Sequence, residues 1–447
     1  MGKHKSHVQI VFVLPFIFPF QNYSFLKLKY LFKIIIIYCS VFNYFSCAPA
    51  LRDTSHKKND RANRVYKIVS GEKNQIRVLL SEEQKPASLT VSGTYKFISD
   101  DEEIGKVKNG DVLKFQINNG GTNVKFGSRE LGGIIFLLQP VDSESVILFS
   151  GKKYSGDFLL VYGDNNRLLV INRLSLEEYL LGVLPSEMGV KPNQSERGEA
   201  LKAFAVCART FAEMKKAKGN TYYDITDDVR DQVFGGSGNF TELDKKAIIE
   251  TTQEVLEYKE KLAEVFYHSA CGGMLEDPAN VFSGKVDDYL IAKKDGDENP
   301  NCEISPTFKW EESYSQSELL KLLKAKKLIT QKQRVIKNIE ISAVFTSGRV
   351  KELRINFANT EDVILPSSEI RNFFMRRDKK GILRSSLFSL SKEIKNGELI
   401  KVTLSGRGSG HGVGFCQWGA MNLSSKGKSY RQILDFYFPG CTIGKIE

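Results

Sequence analysis

Histidine and tryptophan are scarce in this chain, at five and two of 447 residues. Beyond residue 60 histidine occurs only as His268 and His411. The HExxH zinc helix, the GxSxG elbow and the GxxxxGK[ST] phosphate loop are all absent, and the glycine run at 406–414 fits GxGxxG in no register. These absences exclude the commonest zinc-peptidase, α/β-hydrolase and nucleotide-binding readings. Cysteine is present but patternless: seven residues, of which Cys39 and Cys47 lie in an apolar N-terminal region and the other five are far apart. Such spacing is not a disulfide framework, which leaves buried thiols, a single pair or metal ligands. A basic stripe is missing too. The net charge is +11, yet residues 1–60 alone hold eight basic side chains against two acidic ones. The remainder is mildly basic, which argues against a nucleic-acid partner and leaves room for weak attraction to an anionic polymer.

Length and composition suit a globular protein of two or three domains. Residues 1–47 form a targeting segment with greasy runs at Ile10–Phe20 and Tyr30–Phe45. Three forms fit it: a cleaved secretory signal, a lipoprotein signal with Cys47 as the lipidated residue, or an uncleaved membrane anchor. In each form the body is exported to the cell envelope. Residues 48–66 are a polar linker without periodicity. Over 67–172 short apolar runs alternate with turns such as Asn118-Asn119-Gly120-Gly121, which reads as a β-rich domain. Residues 173–447 mix helices and strands, so the fold class is α+β.

The chemistry concentrates around Leu184-Pro185-Ser186-Glu187-Met188. A helical run, Leu176 to Val183, precedes it and a longer one, Glu199 to Ala212, follows, which places Glu187 in a short Pro-marked turn. An acid there either caps a helix start or, among Val183, Leu184 and Met188, has its pKa raised as a general acid requires. Arg209 interrupts the apolar stripe of the second helix. It either braces the fold against a carboxylate or orients Glu187. His268 and Cys271 stand three apart after a strand, with Cys302 farther on, a partial zinc pattern whose rival is plain burial. The run Gly406 to Gly414 permits close backbone approach. It sets His411, Gln417 and Trp418 side by side, which suits a sugar ligand or a tight structural turn.

Four segments taken together resemble one family. They are Leu174 to Met188, Glu199-Ala200-Leu201-Lys202-Ala203 with Ala208-Arg209-Thr210-Phe211-Ala212, Tyr267-His268-Ser269-Ala270-Cys271-Gly272-Gly273, and Gly410 to Met421. In this order they are similar to the signatures of the SpoIID/LytB family, the stage II sporulation protein D and amidase-enhancer group, over residues 173–442. The resemblance implies a mixed α/β domain with a substrate groove acting on peptidoglycan, a mode of action in which Glu187 is the catalytic acid, and partners that include a cell-wall amidase. It also implies a structural zinc near His268 and Cys271, with Cys302 as an addition, while Arg209, His411 and Gln417 become candidates for substrate contact. A lytic transglycosylase needs only one carboxyl, whereas hydrolysis usually needs two. The alternative is a non-catalytic wall-binding protein that stimulates an amidase. The chain departs from the family at Phe211 and Phe234, where Tyr is usual, and at Cys416 and Trp418, where Ser and Tyr are common. A hydroxyl missing at Phe234 would count against full activity if the family uses one there.

Overall fold

The computed structural model describes Val69 and residues 71–446, apart from 119, 127, 190–194, 284–286, 331, 333–334, 359 and 379–380. The targeting segment and the whole linker lie outside the described residues. No helix among the described residues is long and apolar enough to cross a membrane.

The α+β class holds: a β-rich first part is followed by mixed helices and sheets. The first part makes a six-stranded sheet and six strands of a seven-stranded one, whose edge strand, Ile225–Thr226, comes from farther along the chain. The six-stranded sheet places Ala87–Ser92 between Val146–Phe149 and Val112–Asn118. Alternating apolar residues put Leu89, Val91, Leu113 and Phe115 into one core with Tyr95, Phe97, Phe136 and Phe158. The central strands of the seven-stranded sheet are apolar on both faces. Leu159, Val161, Leu169 and Ile171 cover the far side against Tyr222 and Tyr223.

Strand Arg167–Ser175 of that sheet leads directly into the first helix. Ser175 is both its last residue and the N-cap of α1, Leu176–Met188, closed by a reciprocal bond with Glu178. The helix continues through Pro185, so Glu187 lies on its last turn and not in a separate turn. Pro185 has no N–H to give the Leu181 carbonyl, so the helix runs through it with one backbone hydrogen bond fewer. Next comes α2, Gly198–Lys218, whose small side chains Ala203, Ala205, Cys207, Ala208 and Ala212 bury it on most sides. Helix α3, Glu242–Glu250, packs on α1 and α2. The apolar core of the β-rich part runs unbroken through these helices to Phe415, Ala420 and Tyr437 near the C-terminus.

A second core occupies residues 310–404. It joins Trp310, Leu319, Ile339, Leu353, Phe374 and Leu404 from two three-stranded sheets and the short helices α4, Gln316–Ala325, and α5, Ser367–Phe373. The chain returns to the first core with α6, Gln417–Ser425, and α7, Tyr430–Tyr437.

Arg209 settles between its two sequence readings. It is fully buried; Nε and Nη2 donate to the two Glu177 carboxylate oxygens at 2.9 and 2.7 Å, and Nη1 donates to the Glu254 carbonyl at 2.9 Å. A guanidinium so engaged ties α2 to α1, and because it is fully buried and lines no part of the cleft described below, it braces the fold, which corrects the expectation of substrate contact. Replacing it with alanine strands a carboxylate and a buried carbonyl. Arg209→Ala is therefore expected to lower the unfolding free energy by about 3 kcal/mol, measured by urea denaturation of the full chain.

Candidate active site

A cleft of about 530 Å³ opens where α1, α2 and the strand before His268 meet. Glu187, Phe211, Val233, Phe266, Tyr267, His268, Phe282 and His411 are among its walls. A larger hollow of about 690 Å³ lies around Glu177 and Gln253, but its carboxylates are already paired, Glu177 with Arg209 and Glu213 with Lys216.

The geometry begins with a glycine. A Cβ on Gly182 would overlap the Phe234 ring and the Gly236 carbonyl. Gly182 therefore lets residues 233–236 lie directly against α1, and the Gly235 N–H donates to the Gly182 carbonyl at 3.2 Å. One turn farther along the helix, the Val233 N–H reaches Glu187 Oε1 at 2.9 Å. The Tyr267 hydroxyl stands 3.4 Å from the same oxygen, and Gln417 Nε2 is 3.5 Å from Oε2. Glu187 is half-buried. Burial raises its pKa above the ordinary 4.5, against smaller downward pulls from the Val233, Gln417 and Tyr267 donors. This is a carboxyl that exchanges a proton more readily near neutral pH than a solvated one does.

Phe234 packs between Tyr154 and Tyr179, at ring separations of 5.9 and 5.1 Å, and is 1% exposed. Its missing hydroxyl is thus missing from the core and not from the cleft wall. Phe211, the other departure, does line the cleft, edge-on to Tyr267.

The glycine run at 406–414 acts through close packing. Gly408, Gly410, Gly412 and Gly414 all have positive φ, between 70° and 112°. Side chains there would strike Ala270, His268, Arg349 and Phe266 respectively. The run threads the closing segment against the His268 segment and sets His411 in the cleft wall. Burial pushes the His411 imidazole well below 6.5 and His268 to about 3, so both rings are neutral. Trp418 packs against the core and is not among the cleft residues.

The metal-ligand expectation needs one correction. His268 Nδ1 faces the Val413 carbonyl at 3.0 Å, which places the proton on that nitrogen and leaves Nε2 a buried acceptor without a partner. The ring stands edge-on to His411 and is not one of the grouped donors. Cys271 and Cys302 do come together, with Sγ atoms 3.4 Å apart, and the group they belong to adds Asp295 and Cys416. The four donor atoms lie within 4.8 Å of one another, and all four residues are buried. Cys271 Sγ is 3.1 Å from Asp295 Oδ2, and Tyr437 donates to the other Asp295 oxygen at 2.9 Å. Three sulfurs and one oxygen, with the carboxylate oriented by a second partner, suit a tetrahedral zinc. Of these, the sequence reading had Cys271 and Cys302. Cys416 stood only among the five body cysteines left open as thiols, a pair or metal ligands, and Asp295 as one polar loop residue among several.

A family model described as stage II sporulation protein matches residues 164–258, and a model of a domain of unknown function matches 247–414. An uncharacterized protein of Brachyspira hyodysenteriae is 30% identical over 387 residues, which is 85% of this chain and 95% of that protein. The amidase enhancer of Bacillus subtilis is 27% identical over 398 residues, and the match spans 78% of this chain but only 54% of the enhancer. Stage II sporulation protein D of the same organism is 27% identical over 297 residues, 62% of this chain and 76% of that protein. The signatures, the extent of these matches and the cleft they assemble agree: the chain belongs to the SpoIID/LytB family.

Proposed function

We propose that this protein works outside the cytoplasm on the cell wall, and that it cuts peptidoglycan glycan strands as a lytic transglycosylase. The observation that carries this reading is a half-buried carboxyl with a raised pKa, held by three donors in a cleft with aromatic walls. Glu187 protonates the oxygen between N-acetylmuramic acid and N-acetylglucosamine as the C1–O bond breaks. The muramyl C6 hydroxyl then attacks C1 and returns its proton to the Glu187 carboxylate, which closes a 1,6-anhydro ring. No water enters the balance. Asp231, another acid in the cleft, is held by Lys215 and by the Thr226 N–H and hydroxyl, so its oxygens are occupied. The amidase-enhancer relative supports a second reading, in which the cleft binds glycan without cutting it and stimulates a cell-wall amidase.

Export follows from the apolar residues 1–47, with a cleaved signal, a lipid on Cys47 and an uncleaved anchor as the three possible forms. Cys271, Asp295, Cys302 and Cys416 would hold one zinc ion in a closed, structural site. Bound there, the ion supplies a cross-link between three chain segments and no open coordination position. The residues themselves fix the start of α6, since Gln417 follows Cys416 directly.

Purified full-length protein is expected to release anhydromuramyl ends from glycan strands, detected by mass spectrometry, and Glu187→Gln to release none. Equal product from both, or none from either, would favour the binding role. Because burial raises the Glu187 pKa, the folded protein is penalised once pH rises above that value. Glu187→Gln is accordingly expected to melt no lower than the parent at neutral pH.

The rate should fall on the alkaline side with an apparent pKa above 4.5. Gln417→Leu removes a donor that favours the charged form, so that limb should move to higher pH. A shift to lower pH would contradict the assignment.

Elemental analysis should find about one zinc per chain. Cys416→Ser should reduce the occupancy and a chelator should lower the melting temperature. Less than about a third of an equivalent in the parent protein would count against the site.

A further inference from the structure

The cleft holds more positive charge than its own acids balance. Lys215 is paired with Asp231, and Arg230 with Asp228. Arg371 is placed differently. It sits on the last turn of α5, within the second core, and reaches the cleft wall beside Phe282, Gly410 and His411. Its Nε donates to the Leu383 carbonyl at 3.1 Å, and the Leu383 N–H donates back to the Arg371 carbonyl at 3.0 Å, so the side chain is anchored at its base. The charged group acting on it is another cation, Arg349, whose own acid Glu276 lies 4.0 Å from it. Burial and Arg349 together push the Arg371 guanidinium down to about 10. Among the described residues no carboxylate forms an ion pair with it. A half-buried guanidinium beside a second one costs free energy that an incoming anion would recover. Its planar fork matches the two oxygens of a carboxylate.

We propose that Arg371 forms a carboxylate subsite at the His411 end of the cleft and reads an acid carried by the bound glycan strand. This rests on the peptidoglycan reading above. On such a strand the sugar carboxyl belongs to muramic acid, as its 3-O-lactyl group. That group is a free acid when no stem peptide is attached and an amide when one is. An attached peptide brings carboxylates of its own. Both sources present the same pair of oxygens, and N-acetylglucosamine presents none.

The test uses the full chain carrying Glu187→Gln, so that binding is read without turnover. Three ligands of equal sugar length are compared: a chito-oligosaccharide, a peptide-free strand with free lactyl acids, and the same strand with stem peptides attached. At least one acid-bearing strand should bind about tenfold or more tighter than the chito-oligosaccharide, the gain expected for a hydrogen-bonded charge. Arg371→Ala should erase that preference and Arg371→Lys should keep part of it. A preference for the peptide-free strand assigns the lactyl acid, and one for the peptide-bearing strand assigns the stem. Equal binding of all three, no binding of any, or a preference that survives in Arg371→Ala and Arg371→Gln overturns the subsite. If the alanine variant does not fold, the glutamine variant, checked by its melting temperature, decides. Cleavage is scored separately, from anhydromuramyl ends made by the chain with Glu187 intact. Their absence removes the proposed chemistry and leaves the binding preference measurable.

Discussion

One carboxyl group sets the terms for the rest of the molecule. A half-buried glutamate is costly as an anion unless donors reach it, and too acidic to hold a proton if they reach it too well. Glu187 sits between these limits. One short bond, from the Val233 backbone, fixes its orientation, and two long contacts, from Tyr267 and Gln417, stabilise the charge only in part. The balance leaves its pKa raised. These donors come from three segments far apart in sequence, each delivered by a separate packing solution. Gly182 admits the Val233 loop, the parallel pairing of Tyr267 and His268 with Phe415 and Cys416 presents the tyrosine, and the start of α6 presents the glutamine.

Local patterns were legible in the sequence. Short apolar runs between turns marked the strands, and small side chains between Ala200 and Ala212 marked a helix buried on most sides. What spacing cannot give is how an interruption is resolved. Pro185 and Ser186 looked like a turn, yet the helix runs on through them with one backbone donor fewer. Arg209 looked like either a brace or a site residue. The choice depended on which acid lay across from it, and Glu177 is on the neighbouring helix, 32 residues away.

Long-range coincidence explains the other differences. Asp295 lies in a loop with several acids and had no local mark of its own. Only the fold brings it to Cys271, Cys302 and Cys416. His268 sits in a signature beside a metal-ligating residue type, so the sequence grouped it with the cysteines. The Val413 carbonyl takes one of its nitrogens and turns the ring toward His411. Arg371 belongs to a region with no site motif in it, and its position at the cleft follows from how that region's second core docks. There Arg349 donates to the Cys271 and Met274 carbonyls from the other side of the same contact.

The adjacency of Cys416 and Gln417 joins the two halves of this chemistry. Cys416 turns its sulfur into the buried donor group, and Gln417 turns its amide toward Glu187. The Cys271 N–H donates to Cys416 Sγ at 3.3 Å, and His268, paired with Cys416 across the short parallel sheet, follows Tyr267 directly. Any displacement of the thiol group therefore moves two of the three donors to Glu187 together, the tyrosine through one strand and the glutamine through the other. The third, Val233, answers to α1 through Gly182 and is independent of that group. Disturbing the cysteines should then remove the two long bonds to Glu187 and leave in place the short one from Val233, which both fixes the carboxyl and is the largest of the three downward pulls on its pKa.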